Sequence, residues 1–289
     1  MKKILIIGIK GMAGHMLYNY YKNSKQFEVY GIARNTEQSD NVFVLDVSDN
    51  QSLRDIVSSS KFDCIINCIG VLNKDAEDNP SKAIWFNSYF PHFLEEITKY
   101  TQTKVIHIST DCVFSGKRGG YTEEDVKDGI GFYAQSKALG EIINNKDVTV
   151  RTSIIGPELN SQGIGLFHWF MTQPKEATLK GFSKAYWSGI TTLELAKVIE
   201  HIIEQNIVGL IQVAPTQKID KYQLVQLFNG IYRNNEITID EYDGYQVDKS
   251  LISLREDFAY KAPSYEDMLI DQREWMNLHR SLYSHYYKK

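Results

Sequence analysis

Tyr133 and Lys137 lie four positions apart, so on a helix they share one face, a turn from each other. A tyrosine hydroxyl ordinarily titrates near about 10. A neighbouring ammonium favours the phenolate and brings the hydroxyl into range for general acid–base work on a ketone or an alcohol. Spacing alone does not single this pair out, because the chain holds five such pairs: Tyr18/Lys22, Tyr21/Lys25, Tyr100/Lys104, Tyr133/Lys137 and Tyr245/Lys249. Position does. Only Tyr133 follows closely on an apolar run that ends in hydroxyls, Val105-Ile106-His107-Ile108-Ser109-Thr110-Asp111. Ligands of open parallel sheets collect at the carboxyl ends of strands. Thr110 is therefore placed to bond a substrate oxygen beside Tyr133; taken alone, a strand-end hydroxyl could equally cap its own backbone.

A second constellation opens the chain. Gly8-Ile9-Lys10-Gly11-Met12-Ala13-Gly14 follows the apolar run Ile4-Leu5-Ile6-Ile7 and begins a helical stretch. Glycines in that turn let backbone approach a pyrophosphate, whose charge then sits on the helix N-terminus. A dinucleotide site is expected here, although glycine turns also serve tight strand–helix packing. NAD sites usually carry an acid at the end of the second strand to hold a ribose hydroxyl. This chain has Arg34 there instead. A guanidinium suits a 2′-phosphate, which points to NADPH with NADH as the alternative; a solvated arginine is the plainer reading. Asp46 is placed either to accept from an adenine amine or to cap a turn.

These groups need a scaffold. Short β-branched runs at residues 3–7, 27–32, 42–47, 64–68, 105–109 and 148–152 alternate with amphipathic stretches at 52–58, 81–100 and 133–144. Runs apolar on both faces and separated by helices imply a parallel sheet covered on both sides. The expected fold is α/β, a Rossmann-type doubly wound sheet with a smaller, mixed α/β substrate lobe. Residues 1–152, with 187–205 returning, form the dinucleotide-binding domain; 153–186 and 206–289 form the substrate lobe. Thr191 and Glu194 have capping-box spacing at the head of the returning helix. A strand is expected at 209–213 and helices at 221–231 and 264–275. Pro91 should kink or break the helix it interrupts.

Composition narrows the class. A net charge of −4 provides no basic field for nucleic acid and no polybasic membrane patch. The apolar runs are strand-sized, too short to span a bilayer, and Met1-Lys2-Lys3 lacks a signal-peptide pattern, so a cytoplasmic protein is expected. Cys64, Cys68 and Cys112 have no metal-ligand spacing and read as buried thiols. The seven histidines do not cluster, and no structural metal is expected.

The motifs together resemble a known family. Gly8-x-x-Gly11-x-x-Gly14, Asn67-Cys68-Ile69-Gly70, Ser109-Thr110-Asp111-Cys112-Val113-Phe114-Ser115-Gly116 and Tyr133-Ala134-Gln135-Ser136-Lys137 look like an extended short-chain dehydrogenase/reductase. Within it, the Ser-Thr-Asp element and the Tyr133-to-Glu141 element are similar to the dTDP-4-dehydrorhamnose reductase group. The likeness is good over the first 155 residues and loose beyond, where Asp248-Lys249-Ser250-Leu251 and Pro263-Ser264-Tyr265 look like elements of the group's substrate lobe.

The resemblance implies NADPH-dependent reduction of the C4 ketone of a nucleotide-activated 6-deoxyhexulose, in the synthesis of cell-surface polysaccharide precursors. Tyr133 would protonate the new alcohol, Lys137 would bind the nicotinamide ribose, and Thr110 would polarise the carbonyl. The cofactor set is Gly8, Gly11, Met12, Gly14, Arg34, Asp46, Val47, Cys68, Ile69, Gly70 and Lys137. The substrate set is Thr110, Asp111, Tyr133, Trp187, Lys221 and Lys249. Asn87 is expected to brace backbone, and Arg151 either meets a diphosphate or forms a surface ion pair. Some relatives use a divalent ion such as Mg2+, for which the sequence marks no site, and a homodimer is compatible with the group.

Two departures bear on the substrate. Cys112 stands where the rhamnose enzymes commonly have tyrosine, and Asn67-Cys68-Ile69-Gly70-Val71 replaces an alanine-rich stretch. A UDP-2-acetamido-2,6-dideoxyhexulose therefore competes with the dTDP sugar. Two other functions fit the scaffold: an epimerase or dehydratase that keeps NAD bound, and a non-catalytic subunit resembling the regulatory one of methionine adenosyltransferase.

Overall fold

The apolar runs of the first half become strands because the molecule buries both of their faces. Ile4, Leu5, Ile6 and Ile7 are wholly enclosed, and all four residues of Cys64–Asn67 are buried. In the computed structural model, which describes residues 1–287, β1 (Lys2–Ile7), β2 (Phe27–Ala33), β3 (Val42–Val44), β4 (Cys64–Asn67), β5 (Lys104–Ser109) and β6 (Val148–Arg151) share one sheet. A seventh strand, Gly209–Gln212, completes it. The spatial order is Gly209–Gln212, β6, β5, β4, β1, β2, β3, and every pairing is parallel. The order reverses between β1 and β4, so the turns leaving these two strands diverge and open a crevice at their carboxyl ends.

The seventh strand corrects the sequence-based boundary. Residues 206–289 were assigned to the second lobe, yet Gly209 to Gln212 pair with Val148 to Arg151 at the edge of the main sheet. The same core also takes in Phe258 and Met268 from further along the chain. The returning helix, Thr192–Gln205, is capped by the Thr191 hydroxyl, which accepts from the Glu194 N–H at 3.1 Å, and it packs against α1 (Met12–Tyr21). The rest of the chain gathers round a second core that includes Phe167, Phe170, Leu224, Phe228, Leu269 and Tyr283. Its helices are Leu166–Met171, Lys221–Arg233 and Tyr265–Leu278, with short paired strands between. No described helix is long and apolar enough to cross a membrane.

Pro91 acts on its helix as its chemistry requires. Proline has no N–H to give to the carbonyl four residues back, here Asn87. The chain before it widens into a π-helical segment, Ile84–Tyr89, before resuming as Phe90–Thr98 with Pro91 in the first turn. A wider turn is a common way to absorb such a break next to a functional site. Here it brings the Asn87 carbonyl close against Gly140.

Candidate active site

The glycine loop leaves β1 in a tight turn. Gly8 has φ +95°, a conformation that favours glycine, and the Gly11 N–H returns to its carbonyl at 3.0 Å. A Cβ on Gly14 would stand 2.2 Å from the Gly8 oxygen, so the third glycine serves packing of α1 on the turn. Gly11 is the N-cap of α1 and provides no side-chain cap, and the first turn of α1 holds no acid. The N–H groups there are thus free for an anion.

A cleft of about 330 Å³ lies over this turn. Its wall includes Gly8, Gly11, Arg34, Asp46, Val47 and the Cys68-Ile69-Gly70 segment leaving β4. Met12, Gly14 and Lys137, expected in the same set, do not line it. Lys10 and Lys82, which sequence reading passed over, do. Arg34 is 65% exposed and 3.5 Å from Asp46, free enough to turn to a phosphate. Asp46 caps its own turn, its Oδ1 accepting from the Ser48 N–H and hydroxyl, and these bonds more than Arg34 hold its carboxyl below the usual range. Uncapped amides, an exposed guanidinium and an open cleft fit a dinucleotide. Among the described residues no group of three or more His, Cys, Asp or Glu could hold a metal.

Tyr133 and Lys137 sit on the helix Phe132–Leu139. Its start is fixed from far away: the Glu77 carboxylate accepts from the N–H groups of Phe132 and Tyr133, both at 3.1 Å. Gly131, at φ +92°, admits that carboxylate, whose oxygen a Cβ would approach to 2.6 Å. The helix's far end rests on the π-helical segment, where a Cβ on Gly140 would stand 1.8 Å from the Asn87 carbonyl oxygen. Asn87 itself braces backbone, its side chain bonding Val71 N–H at 2.8 Å, Val71 O at 2.9 Å and the Ser136 hydroxyl at 3.0 Å. No local sequence pattern links Glu77 to a helix more than fifty residues on (the separation is 56 for Tyr133).

Thr110 begins where β5 ends. Its hydroxyl accepts from the Cys112 N–H at 3.1 Å and donates to Asp111 Oδ1 at 3.1 Å. Burial pushes the Tyr133 hydroxyl well above its ordinary value, with Cys112 adding to the effect and Thr110 opposing it. Lys137 is not among the groups acting on the Tyr133 hydroxyl. Lys137 is 4% exposed, and its Nζ donates to the Ile108 carbonyl at 2.6 Å and lies 3.2 Å from His107 Nε2. Burial lowers it to about 8, against the attraction of Glu141 and Cys68.

Tyr133 also lines a second cleft of about 330 Å³ with Cys112, Phe114 and Lys249. Asp111 is buried, which pushes its carboxyl up, while Lys249 and Lys221 act on it from the other lobe. Lys249 is carried by a loop clasped to the main domain: Asp248 N–H donates to Gly116 O at 2.7 Å and Tyr121 N–H to Ser250 O at 2.8 Å.

Two expectations need correction. Trp187 is a core side chain of the second lobe, its indole N–H donating to the Ser153 hydroxyl at 2.8 Å, because it lies inside the second core instead of facing a cleft. Arg151 is neither a diphosphate ligand nor a surface residue: it is 1% exposed and paired with Glu141.

A parallel sheet in this order, a glycine loop at its switch point and the Thr110/Tyr133/Lys137 set define an extended short-chain dehydrogenase/reductase scaffold. More narrowly, the chain belongs to the RmlD substrate binding domain family, whose model matches residues 1–215. Its similarity to dTDP-4-dehydrorhamnose reductase of Aggregatibacter actinomycetemcomitans is 30% identity over 159 residues, 53% of this chain and 51% of that protein. The chain thus matches about half the length of that curated relative. A crystal structure of a hypothetical dTDP-4-dehydrorhamnose reductase from Sulfolobus tokodaii superposes with TM-score 0.74 at 26% identity, over 92% of this chain and 98% of the other. The Bacillus anthracis dTDP-4-dehydrorhamnose reductase, solved in complex with NADP, gives 0.80 at 21% identity, over 95% and 99%, a likeness of fold.

Proposed function

We propose that the protein reduces, with NADPH, the C4 ketone of a nucleotide-activated 6-deoxy-hexos-4-ulose, dTDP- or UDP-linked, in the making of cell-surface polysaccharide precursors. The observation that carries this reading is Tyr133 in the wall of a cleft, one helical turn from Lys137 and close enough to Thr110 for that hydroxyl to act on the phenol. A dihydronicotinamide supplies a hydride to a carbonyl carbon; the glycine loop and Arg34 would hold its dinucleotide.

The chain's own groups then have defined tasks. Burial keeps Tyr133 protonated at neutral pH, the form that reduction needs, since the carbonyl oxygen must gain a proton as its carbon gains hydride. Thr110 would donate to that oxygen, and Lys137 would hold the ribose and face the phenolate left on Tyr133. Lys221 and Lys249, whose charges act on Asp111 from the second lobe, would take the substrate's diphosphate. The NADP bound by the Bacillus anthracis protein supports the choice of cofactor.

Replacing Tyr133 with Phe should lower turnover by about 10²-fold or more while NADPH binding stays intact. The assay is NADPH consumption with dTDP- and UDP-linked 4-keto-6-deoxysugars, with products identified by NMR. Full activity in the variant would overturn the mechanism. Purified protein that retains stoichiometric NAD and turns over without added reductant would move the reading to an epimerase or dehydratase. Failure of every keto sugar to oxidise NADPH would favour a non-catalytic subunit.

A further inference from the structure

His107 stands inside β5, fully buried, with its ring between two polar side chains. Asn67 Nδ2 lies 3.1 Å from its Nδ1, and Lys137 Nζ lies 3.2 Å from its Nε2. The Ile69 N–H settles which way Asn67 points, because it donates to Asn67 Oδ1 at 3.1 Å. The amide NH2 therefore faces the imidazole and donates to Nδ1. Burial holds the ring neutral, and with Nδ1 accepting from Asn67 its single proton resides on Nε2. That N–H points at Lys137. An ammonium has three donors and no acceptor, and it would oppose the N–H; the lone pair of an amine accepts it.

We infer that His107 is a positioning residue for the reaction: held by Asn67, it presents its Nε2–H to Lys137 and governs whether that lysine carries charge. The inference rests on the reductase reading of Lys137 only for its catalytic consequence. The other groups acting on Lys137 are Cys68, beyond β4, and Glu141, past the end of the helix; both favour the charged form, and burial outweighs them. Tyr133 lies one turn up the same helix, and His92, on the helix Phe90–Thr98, acts on His107. One hydrogen-bond chain thus runs from the Ile69 backbone, in the wall of the dinucleotide cleft, through Asn67 and His107 to Lys137.

Two measurements test it. In His107→Gln the amide reaches the position of Nε2 and can turn its carbonyl oxygen toward Nζ, accepting from an ammonium. The alkaline limb of the kcat–pH profile should move up by about one pH unit, a tenfold change in proton affinity, with NADPH Kd and Tm near those of the parent. An unmoved limb, or one moved down, overturns the proposal. The second measurement needs no substrate: nitrogen NMR of histidine-labelled parent protein should show His107 protonated at Nε2 alone. Its resonance is assigned by its loss in His107→Gln or, if that variant does not fold, by nuclear Overhauser contacts to Lys137. A ring protonated at Nδ1, or at both nitrogens, overturns the proposal even if no sugar substrate is ever found, so the two readings fail separately.

Discussion

Arg151 and Glu141 meet in a doubly hydrogen-bonded pair sealed from solvent, Nε to Oε1 at 2.9 Å and Nη2 to Oε2 at 2.8 Å. Glu141 also accepts from the Ser109 hydroxyl at 2.8 Å and from Lys127 Nζ at 3.1 Å. Arg151 continues through Nη1 to Gln212 Oε1, whose NH2 donates to the Tyr121 and Ile252 carbonyls. The end of the helix that carries Tyr133 and Lys137, the main sheet and the loop carrying Lys249 are therefore tied by one network.

Arg151→Met should cost about 3–5 kcal/mol, since it leaves a buried carboxylate without its main partner. Burial alone would raise Glu141, but Arg151, Lys127 and Ser109 outweigh it and hold the carboxyl below its usual range. A depressed carboxyl contributes stability above its unfolded value and loses it as pH falls through the folded one. Without Arg151 the shift reverses, so the variant regains stability on protonation. Urea unfolding at neutral and at acid pH should show the deficit largest at neutral pH and narrower in acid.

Gly140→Ala should separate the helix Phe132–Leu139 from the π-helical segment, because its methyl cannot share space with the Asn87 carbonyl. Overpacking of this kind costs about 1–3 kcal/mol. The displaced helix carries Tyr133 and Lys137, so kcat should fall at least about tenfold, as misplaced catalytic groups do. Thermal unfolding and kcat, measured on the same preparation, check both parts.

Arg34→Ala should weaken NADPH by about 1–2 kcal/mol, close to tenfold in Kd, and leave NADH almost unchanged. Fold stability should hardly move, because the Arg34–Asp46 contact is exposed and long. Fluorescence titration with the two cofactors checks this; equal losses for both would remove the 2′-phosphate role.

Much of this arrangement was legible in the chain. The alternation of apolar runs and helical stretches predicts the parallel sheet, and a run ending in Thr110 singles out Tyr133 among five similar pairs. The capping of Thr192–Gln205 by Thr191 is local and could be read directly. The strand Gly209–Gln212 was expected, but its place was not, because an edge strand's partner lies sixty residues away in sequence. Trp187 and Arg151 were misplaced for a related reason: residue type suggests a contact, while only packing says which side chains the core encloses.

Local periodicity and residue chemistry by themselves determined the scaffold class and the glycine turn and singled out Thr110, Tyr133 and Lys137 as candidates, since each depends on neighbours within a few positions or on a strand's end. Tertiary structure decided the electrostatics of those groups. Burial raises the Tyr133 hydroxyl and takes Lys137 down to about 8, Glu77 caps their helix, and His107 meets the lysine from the neighbouring strand. Charge states follow from which atoms exclude water and which donors face each other, and those atoms come from segments far apart in the chain.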